Sequence, residues 1–438
     1  MLRVGVVGAG AAGLVAARLL AARPSEFAAP VVFEQAGSVG GTWVYTDHVG
    51  SDRHGLPIHS SMYQNLRTNL PKEVMGFPDF PFKSDSYNGK SFIFHEEVLD
   101  YLCRYADRFD LEQYILFETR VENVTPTSAN DPASGWSVTT RDLNTNKTSH
   151  HFFDAMIICN GHYSVPTVPD LPGIRQFKGE VIHSHDYRVP APYTGKRVIL
   201  LGGRASGIDI SVEVATVAKQ VYLSHNQPPF VATLPDNMQQ TVGIESMEPD
   251  GVVLKDGRRL AVDALILCTG YEFEFAFLSP ACGVEVVERQ VRPLYKHVIH
   301  TGYPRLAFIG LPTVVLPFPL FHKQVEFVLA SLSGRLRLPC RPEMDADTAA
   351  DLETRLQLGL PARYAHLLGP LQWEYMDVLA SAAGAEPVPE AVRQLYDEVH
   401  AQRARDLRGY KERAFRITGP ATFVEVTDEV MADLASKL

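Results

Sequence analysis

Two glycine-rich turns carry the chemistry that this sequence can do. The first is Gly8-Ala9-Gly10-Ala11-Ala12-Gly13, placed between the short apolar run Arg3–Val7 and the Ala- and Leu-rich run Leu14–Arg23. A strand, then G-x-G-x-x-G, then a helix is the context in which this string binds a dinucleotide. Gly8 allows the tight turn, Gly10 lets the backbone approach a pyrophosphate, and Gly13 lets helix and strand pack closely. The opening turn of the helix, with Ala12 in it, then presents free N–H groups and a positive dipole end to the phosphates. A second strand, Val31–Phe33, ends at Glu34, 21 residues past Gly13. That spacing suits a carboxylate that hydrogen-bonds a ribose 2′-OH. The same charge repels a 2′-phosphate, so this turn suits FAD or NAD over NADP. Gly40-Gly41-Thr42-Trp43 follows; two glycines before a hydroxyl predict a loop pressed against the same cofactor.

The second turn is Gly202-Gly203-Arg204-Ala205-Ser206-Gly207, between the apolar strand Lys196–Leu201 and a helix through Ile208–Lys219. Arg204 stands where the first turn has its middle glycine. Its side chain either obstructs the approach of the backbone to a pyrophosphate or pairs with phosphate itself. No acid ends the next strand, Val221–Leu223; Ser224-His225-Asn226 stand there instead. The missing negative charge tolerates a 2′-phosphate, so NADPH is expected over NADH, with Ser224 and His225 as cofactor-facing residues. The arginine usual in an NADP site is absent from this turn. Solvated surface is the alternative for Arg204 and His225.

Between the turns, residues 177–187 (FKGEVIHSHDY) match F-x-G-x-x-x-H-x-x-x-(Y/F). This string resembles the identifying sequence of the flavin-containing monooxygenases. Related Baeyer–Villiger enzymes carry a tryptophan-based ending where this chain has Tyr187, so the departure points to N- and S-oxygenation. The Gly40–Trp43 loop resembles the FAD-binding continuation of two-dinucleotide flavoproteins. Residues 63–73 (YQNLRTNLPKE) are similar to the family segment with an active-site asparagine, here Asn69; an Asx-type cap before Pro71 is the structural alternative. Cys268-Thr269-Gly270-Tyr271 resembles the family linker, and residues 306–312 with Gln324 resemble its flavin-contacting end. The resemblance runs from Val4 to about Tyr410 and is nearest to the soluble plant type that oxygenates glucosinolate sulfur. It implies an NADPH- and O2-dependent FAD monooxygenase of the N,N-dimethylaniline type. Soft nucleophiles, thioether sulfur or amine nitrogen, would be oxygenated through an FAD C4a-hydroperoxide, with Asn69 hydrogen-bonding the hydroperoxide or the nicotinamide ribose. His183 is read as scaffold. The rivals are an NADPH oxidase that releases hydrogen peroxide, motivated by Arg204, and a flavin-bound sensor without turnover.

These residues need an α/β frame of two Rossmann-like folds, the nucleotide domain inserted into the FAD domain. The expected division is 1–165 (FAD, first part), 166–275 (NADPH) and 276–438 (FAD, second part, with C-terminal helices). Pro166, Pro169 and Pro172 mark the outward crossing and Thr269-Gly270 the return. Residues 251–262 (GVVLKDGRRLAV) read as a hairpin turning at Asp256-Gly257, and from about 343 the pattern turns helical, including the charged run Leu395–Phe415.

A length of 438 residues suits more than one core. The net charge of −10 argues against nucleic acid or an anionic membrane as partner. Five cysteines without a C-x-x-C pair exclude a disulfide framework and a disulfide reductase. No apolar run is long enough to span a bilayer. The expected partners are a small thioether or amine and O2, with a homodimer left open. The final Ser436-Lys437-Leu438 reads as a peroxisomal address, with a cytoplasmic location as the alternative.

Overall fold

Two sheets, one mixed and one all-parallel, each with a glycine turn at the end of a central strand, organise the computed structural model, which describes residues 1–129 and 131–427. The centre of the first sheet is β1 (Val4–Val7), flanked in parallel by β2 (Val31–Phe33) and by Ala155–Ile158. Val4–Val7 and Ala155–Ile158 are buried along their whole length, which is why VGVV and AMII contain no polar side chain. Ile115–Leu116 extends one edge, and Leu306–Phe308 pairs in parallel with Ala155–Ile158 on the other side. The chain therefore leaves this sheet after Ile158 and rejoins it at Leu294, where Leu294–Tyr295 and Ile299–His300 form an antiparallel edge next to Leu306–Phe308.

Between those points it builds a second sheet of five parallel strands, in the order Met238–Thr241, Gln220–Ser224, Arg197–Leu201, Ala264–Leu267, Glu180–His183. The outgoing and returning segments pair with each other, Val165–Pro166 running antiparallel to Tyr271–Glu272. This is the α/β architecture with one nucleotide fold inserted into the other. The hairpin expected at 251–262 forms, Gly251–Leu254 against Arg259–Ala261, with Gly257 at φ +82°.

Two regions differ from the sequence reading. A three-stranded antiparallel sheet, Thr119–Pro126, Trp136–Asp142 and Thr148–Phe153, stands in the first part of the chain. Helices do fill the C-terminal part, at Arg341–Gln357, Gln372–Ala383 and Glu390–Arg405. The charged run stops being helical at Arg405, however, and ends in a strand, Phe415–Gly419, paired with Thr422–Glu425. The cause is local: the Asp406 carboxylate accepts the Arg408 and Gly409 N–H groups, at 3.0 and 2.9 Å, and competes with the helical ladder. No helix among the described residues is long and apolar enough to cross a membrane. Ser436-Lys437-Leu438 lies outside the described residues.

Candidate active site

The first turn has no room for side chains at its outer glycines. Gly8 sits at φ +99°, and a Cβ on Gly13 would lie 1.8 Å from the Gly8 carbonyl oxygen. Helix α1 (Ala11–Ala21), with Ala12 half-buried in its first turn, therefore starts directly over the end of β1. Gly10 is different. A Cβ there would meet nothing nearer than Gly41 Cα at 3.5 Å, and Gly41 has φ +56° in the short turn Gly41–Trp43. Two bare backbones thus face each other.

Beside them, the Thr42 hydroxyl is buried without a hydrogen-bond partner. The Glu34 carboxylate accepts the Ala9 N–H at 2.6 Å and the Ala36 N–H at 2.7 Å, yet burial outweighs these bonds and raises its pKa. Glycine cradle, free hydroxyl and acid together fit the diphosphate and ribose of FAD. Trp43 packs edge-on against Phe318, ring centres 6.4 Å apart.

The second turn repeats the collapse. Gly202 sits at φ +130°, and a Cβ on Gly207 would lie 1.7 Å from the Gly202 carbonyl oxygen. Arg204 precedes the helix Ala205–Ala215 at φ −103°, ψ −166°, close to the φ −74°, ψ −172° of Gly10. Its side chain is exposed, with the guanidinium 4.7 Å from the centre of the Tyr364 ring. Ser206 is half-buried in the first turn of that helix.

His225 is buried, not solvated. It lies beneath Gly203, where a Cβ would strike its ring at 2.8 Å, and stacks on Phe230. Its ring nitrogens meet the Gln227 carbonyl at 3.1 Å and Gln240 Oε1 at 3.2 Å. Ser224 is fully buried and donates its hydroxyl to the Val242 carbonyl at 2.9 Å. Both side chains support the turn from below.

Asn69 is exposed, and its side chain makes no hydrogen bond among the described residues. It does not cap the helix Lys72–Met75, which begins without a side-chain cap. The loop that carries it is tied down on both sides. Thr68 exchanges two hydrogen bonds with Ile93: its N–H donates to the carbonyl at 2.8 Å, and its hydroxyl accepts the Ile93 N–H at 3.1 Å.

Further along the same loop, Asn65 donates to Glu213 Oε1 at 2.8 Å and Tyr63 donates to Asp209. Tyr187, the end of the 177–187 string, donates to Glu213 Oε2 at 2.9 Å, and Lys411 closes on Asp209. Asp209 and Glu213 are one turn apart on the helix that follows Arg204, so the Asn69 loop is bolted to the second nucleotide turn. Sequence reading missed both acids and Lys411; an acid pair spaced four apart is visible, but its partners lie far along the chain.

Gln324 is fully buried. Its Oε1 accepts the Gly310 N–H at 2.9 Å and its Nε2 donates to Tyr375 Oη at 2.9 Å. Both ends are used within the protein, and the residue holds the 306–312 turn in place. His183 Nδ1 accepts the His185 N–H at 3.1 Å, as scaffold would.

Two glycine turns, each between a central parallel strand and a helix, one followed by the acid Glu34 at the end of the next strand and one by no acid there, define a two-dinucleotide flavoprotein. The sequence matches the family described as flavin-binding monooxygenase-like over residues 1–237 and 236–431. It is 39% identical over 409 residues to flavin-containing monooxygenase FMO GS-OX-like 4 of Arabidopsis thaliana, covering 90% of each chain. To FMO GS-OX2 of the same plant it is 37% identical, covering 97% of this chain and 92% of the relative. The solved structure of S-allyl-L-cysteine S-oxygenase from Allium sativum is similar at TM-score 0.87 and 36% identity, covering 100% of this chain and 98% of that one. Tmm from Pelagibacter sp. strain HTCC7211 is similar at TM-score 0.84 and 27% identity, covering 97% and 96%. The chain belongs to the flavin-containing monooxygenase family. It is an FAD-containing, NADPH-dependent monooxygenase that acts with O2 on heteroatoms of small molecules.

Proposed function

We propose that this enzyme oxygenates the sulfur of small thioethers, with amine nitrogen as a second acceptor, between the Gly10–Gly41 cradle and the Arg204 turn. Hydride from NADPH and oxygen activation at reduced FAD are the cofactors' own chemistry. The chain supplies binding, orientation and shielding. Gly8, Gly10, Gly13, Glu34, Gly41 and Thr42 hold FAD, with Ala12 and Trp43 alongside. Gly202, Arg204, Ser206 and Gly207 hold NADPH, while Ser224, His225 and Gln324 act from behind.

Asn69 carries the proposal: an exposed amide without an internal partner, on a loop bonded to the second nucleotide turn through Asn65 and Tyr63. A free amide held rigidly can donate to the reacting oxygen. Sulfur is favoured because the S-allyl-L-cysteine S-oxygenase is similar over 100% of this chain. Asn69→Ala should keep FAD and lose about a hundredfold in sulfoxide formed, the cost of one such donor. Sulfoxide and peroxide yields per NADPH that both match the parent would remove Asn69 from the site.

The division at about 165 and 275 is supported by the pairing of Val165–Pro166 with Tyr271–Glu272. Sedimentation tests a homodimer. Fluorescent fusions with and without Ser436-Lys437-Leu438 test the peroxisomal address.

A further inference from the structure

Three arginines gather where the second turn faces the rest of the molecule. The guanidiniums of Arg204 and Arg363 lie 4.7 and 5.1 Å from the centre of the Tyr364 ring. Neither has a carboxylate partner among the described residues. Arg289 completes the group. It donates to the Tyr271 carbonyl, its acid Glu272 stands off at 3.9 Å, and its Nη2 lies 3.4 Å from the Cβ position of Gly270. Burial pushes the Tyr364 hydroxyl up, yet Arg363, Arg204 and Arg289 together draw it below its ordinary range. Two cations over one phenol ring and a third whose charge reaches its hydroxyl, with one distant acid among them, leave a concentrated positive potential.

The arrangement is held by the frame. Arg289 sits at the tip of the hairpin Glu285–Val287/Gln290–Arg292, where Glu288 and Arg289 have φ +49° and +65°. Such a left-handed pair is normally Asn-Gly. Two long side chains there show a strained turn that the surroundings enforce. The hairpin is joined to the Arg363–Tyr364 segment by one buried bond: the Val291 N–H donates to His366 Nε2 at 2.9 Å. Burial holds His366 well below its ordinary pKa, so the ring stays a neutral acceptor. His297 meets its other nitrogen at 3.1 Å. Arg289 and Arg363 are thus set relative to each other by protein contacts alone.

We propose that Arg204, Arg289 and Arg363, on the Tyr364 platform, form one oxyanion site at the mouth of the second nucleotide turn, which takes a phosphate of NADP(H) or the carboxylate of a thioether substrate. Guanidinium forks pair bidentately with either group. The choice of these two anions rests on the monooxygenase reading above; the arginine cluster does not.

The test uses the FAD-loaded Arg363→Gln and Arg289→Gln enzymes with two readouts. One is NADP+ binding to the oxidised protein, followed by the flavin absorbance. The other is the ratio of kcat/KM for (methylthio)acetate to that for its methyl ester. A phosphate ligand predicts NADP+ affinity about tenfold weaker with the ratio unchanged. A substrate carboxylate predicts a ratio about tenfold lower with NADP+ affinity unchanged. Arg363→Lys should recover part of either loss, because it restores charge without the fork. Arg363 is exposed, so its variant serves if Arg289→Gln fails to fold. Both readouts unchanged in flavin-loaded Arg363→Gln overturn the proposal. Failure of the monooxygenase reading looks different: the parent enzyme would then bind NADP+ but make no sulfoxide.

Discussion

At the first turn, Gly10 faces Gly41 backbone to backbone; at the second, Arg204 in nearly the same extended conformation faces the Tyr364 ring. The outer glycines do not differ. Gly13 and Gly207 are each held by a carbonyl oxygen that lies under 2 Å from where a Cβ would go. The outer positions answer to the strand–helix packing, which is the same in both sheets. The middle position answers only to what lies across the mouth. A departure there reports on the ligand side of the site, and a departure at an outer glycine would report a different fold.

The largest effect expected from this comparison is at the outer glycines. Gly13→Ala should yield protein without flavin, because a Cβ 1.8 Å from an oxygen forces β1 and α1 apart. Gly207→Ala, with its collision at 1.7 Å, should keep FAD and lose NADP+ binding. Flavin absorbance per chain and NADP+ titration read both outcomes. FAD lost from Gly207→Ala as well would show that the two sheets do not hold their cofactors independently.

Exchanging the middle residues should have a smaller and unequal effect. Gly10→Arg fills the gap before Gly41 and should lower FAD content by about tenfold or more, since the backbone can no longer approach the diphosphate. Arg204→Gly should leave FAD unchanged and alter NADP+ affinity by about tenfold at most, the scale of one charged contact. Equal losses of FAD in the two variants would break the distinction between the turns.

The smallest effect concerns the crossings between the sheets. Burial first, with help from neighbouring cations or histidines, lowers His162 and His183 to about 4. The unfolded chain takes up those protons near pH 6.5. Between pH 6.5 and 4 the unfolded state therefore binds more protons, and stability falls as pH falls through that window. The melting temperature should drop by a few degrees between pH 7 and 5, and His162→Phe should reduce the drop. A melting temperature that stays flat over this range would mean that these rings titrate normally.

Much of the frame was legible because its constraints are local. A strand, a turn too tight for a Cβ and a helix occupy consecutive residues, so both sheets' glycine turns and Glu34 could be read directly. The Asn69 loop was legible only through family resemblance, and the structure adds that its amide is free and caps nothing. Ser224, His225 and Gln324 were read as cofactor-facing, but a sequence position does not say which way a side chain points; all three are turned inward to bonds within the protein.

Of the bolt only the acid pair Asp209 and Glu213, and of the arginine cluster only Arg204, left a local signal; their partners left none. Tyr63 meets Asp209, and Asn65 meets Glu213, across 146 and 148 positions of the chain. Arg204 reaches a ring contributed by the C-terminal helical part. Backbone sterics act between neighbours and leave a spacing that can be read in a sequence. Side-chain hydrogen bonds and ion clusters act between whichever residues the packed sheets bring together, and only the tertiary structure decides those.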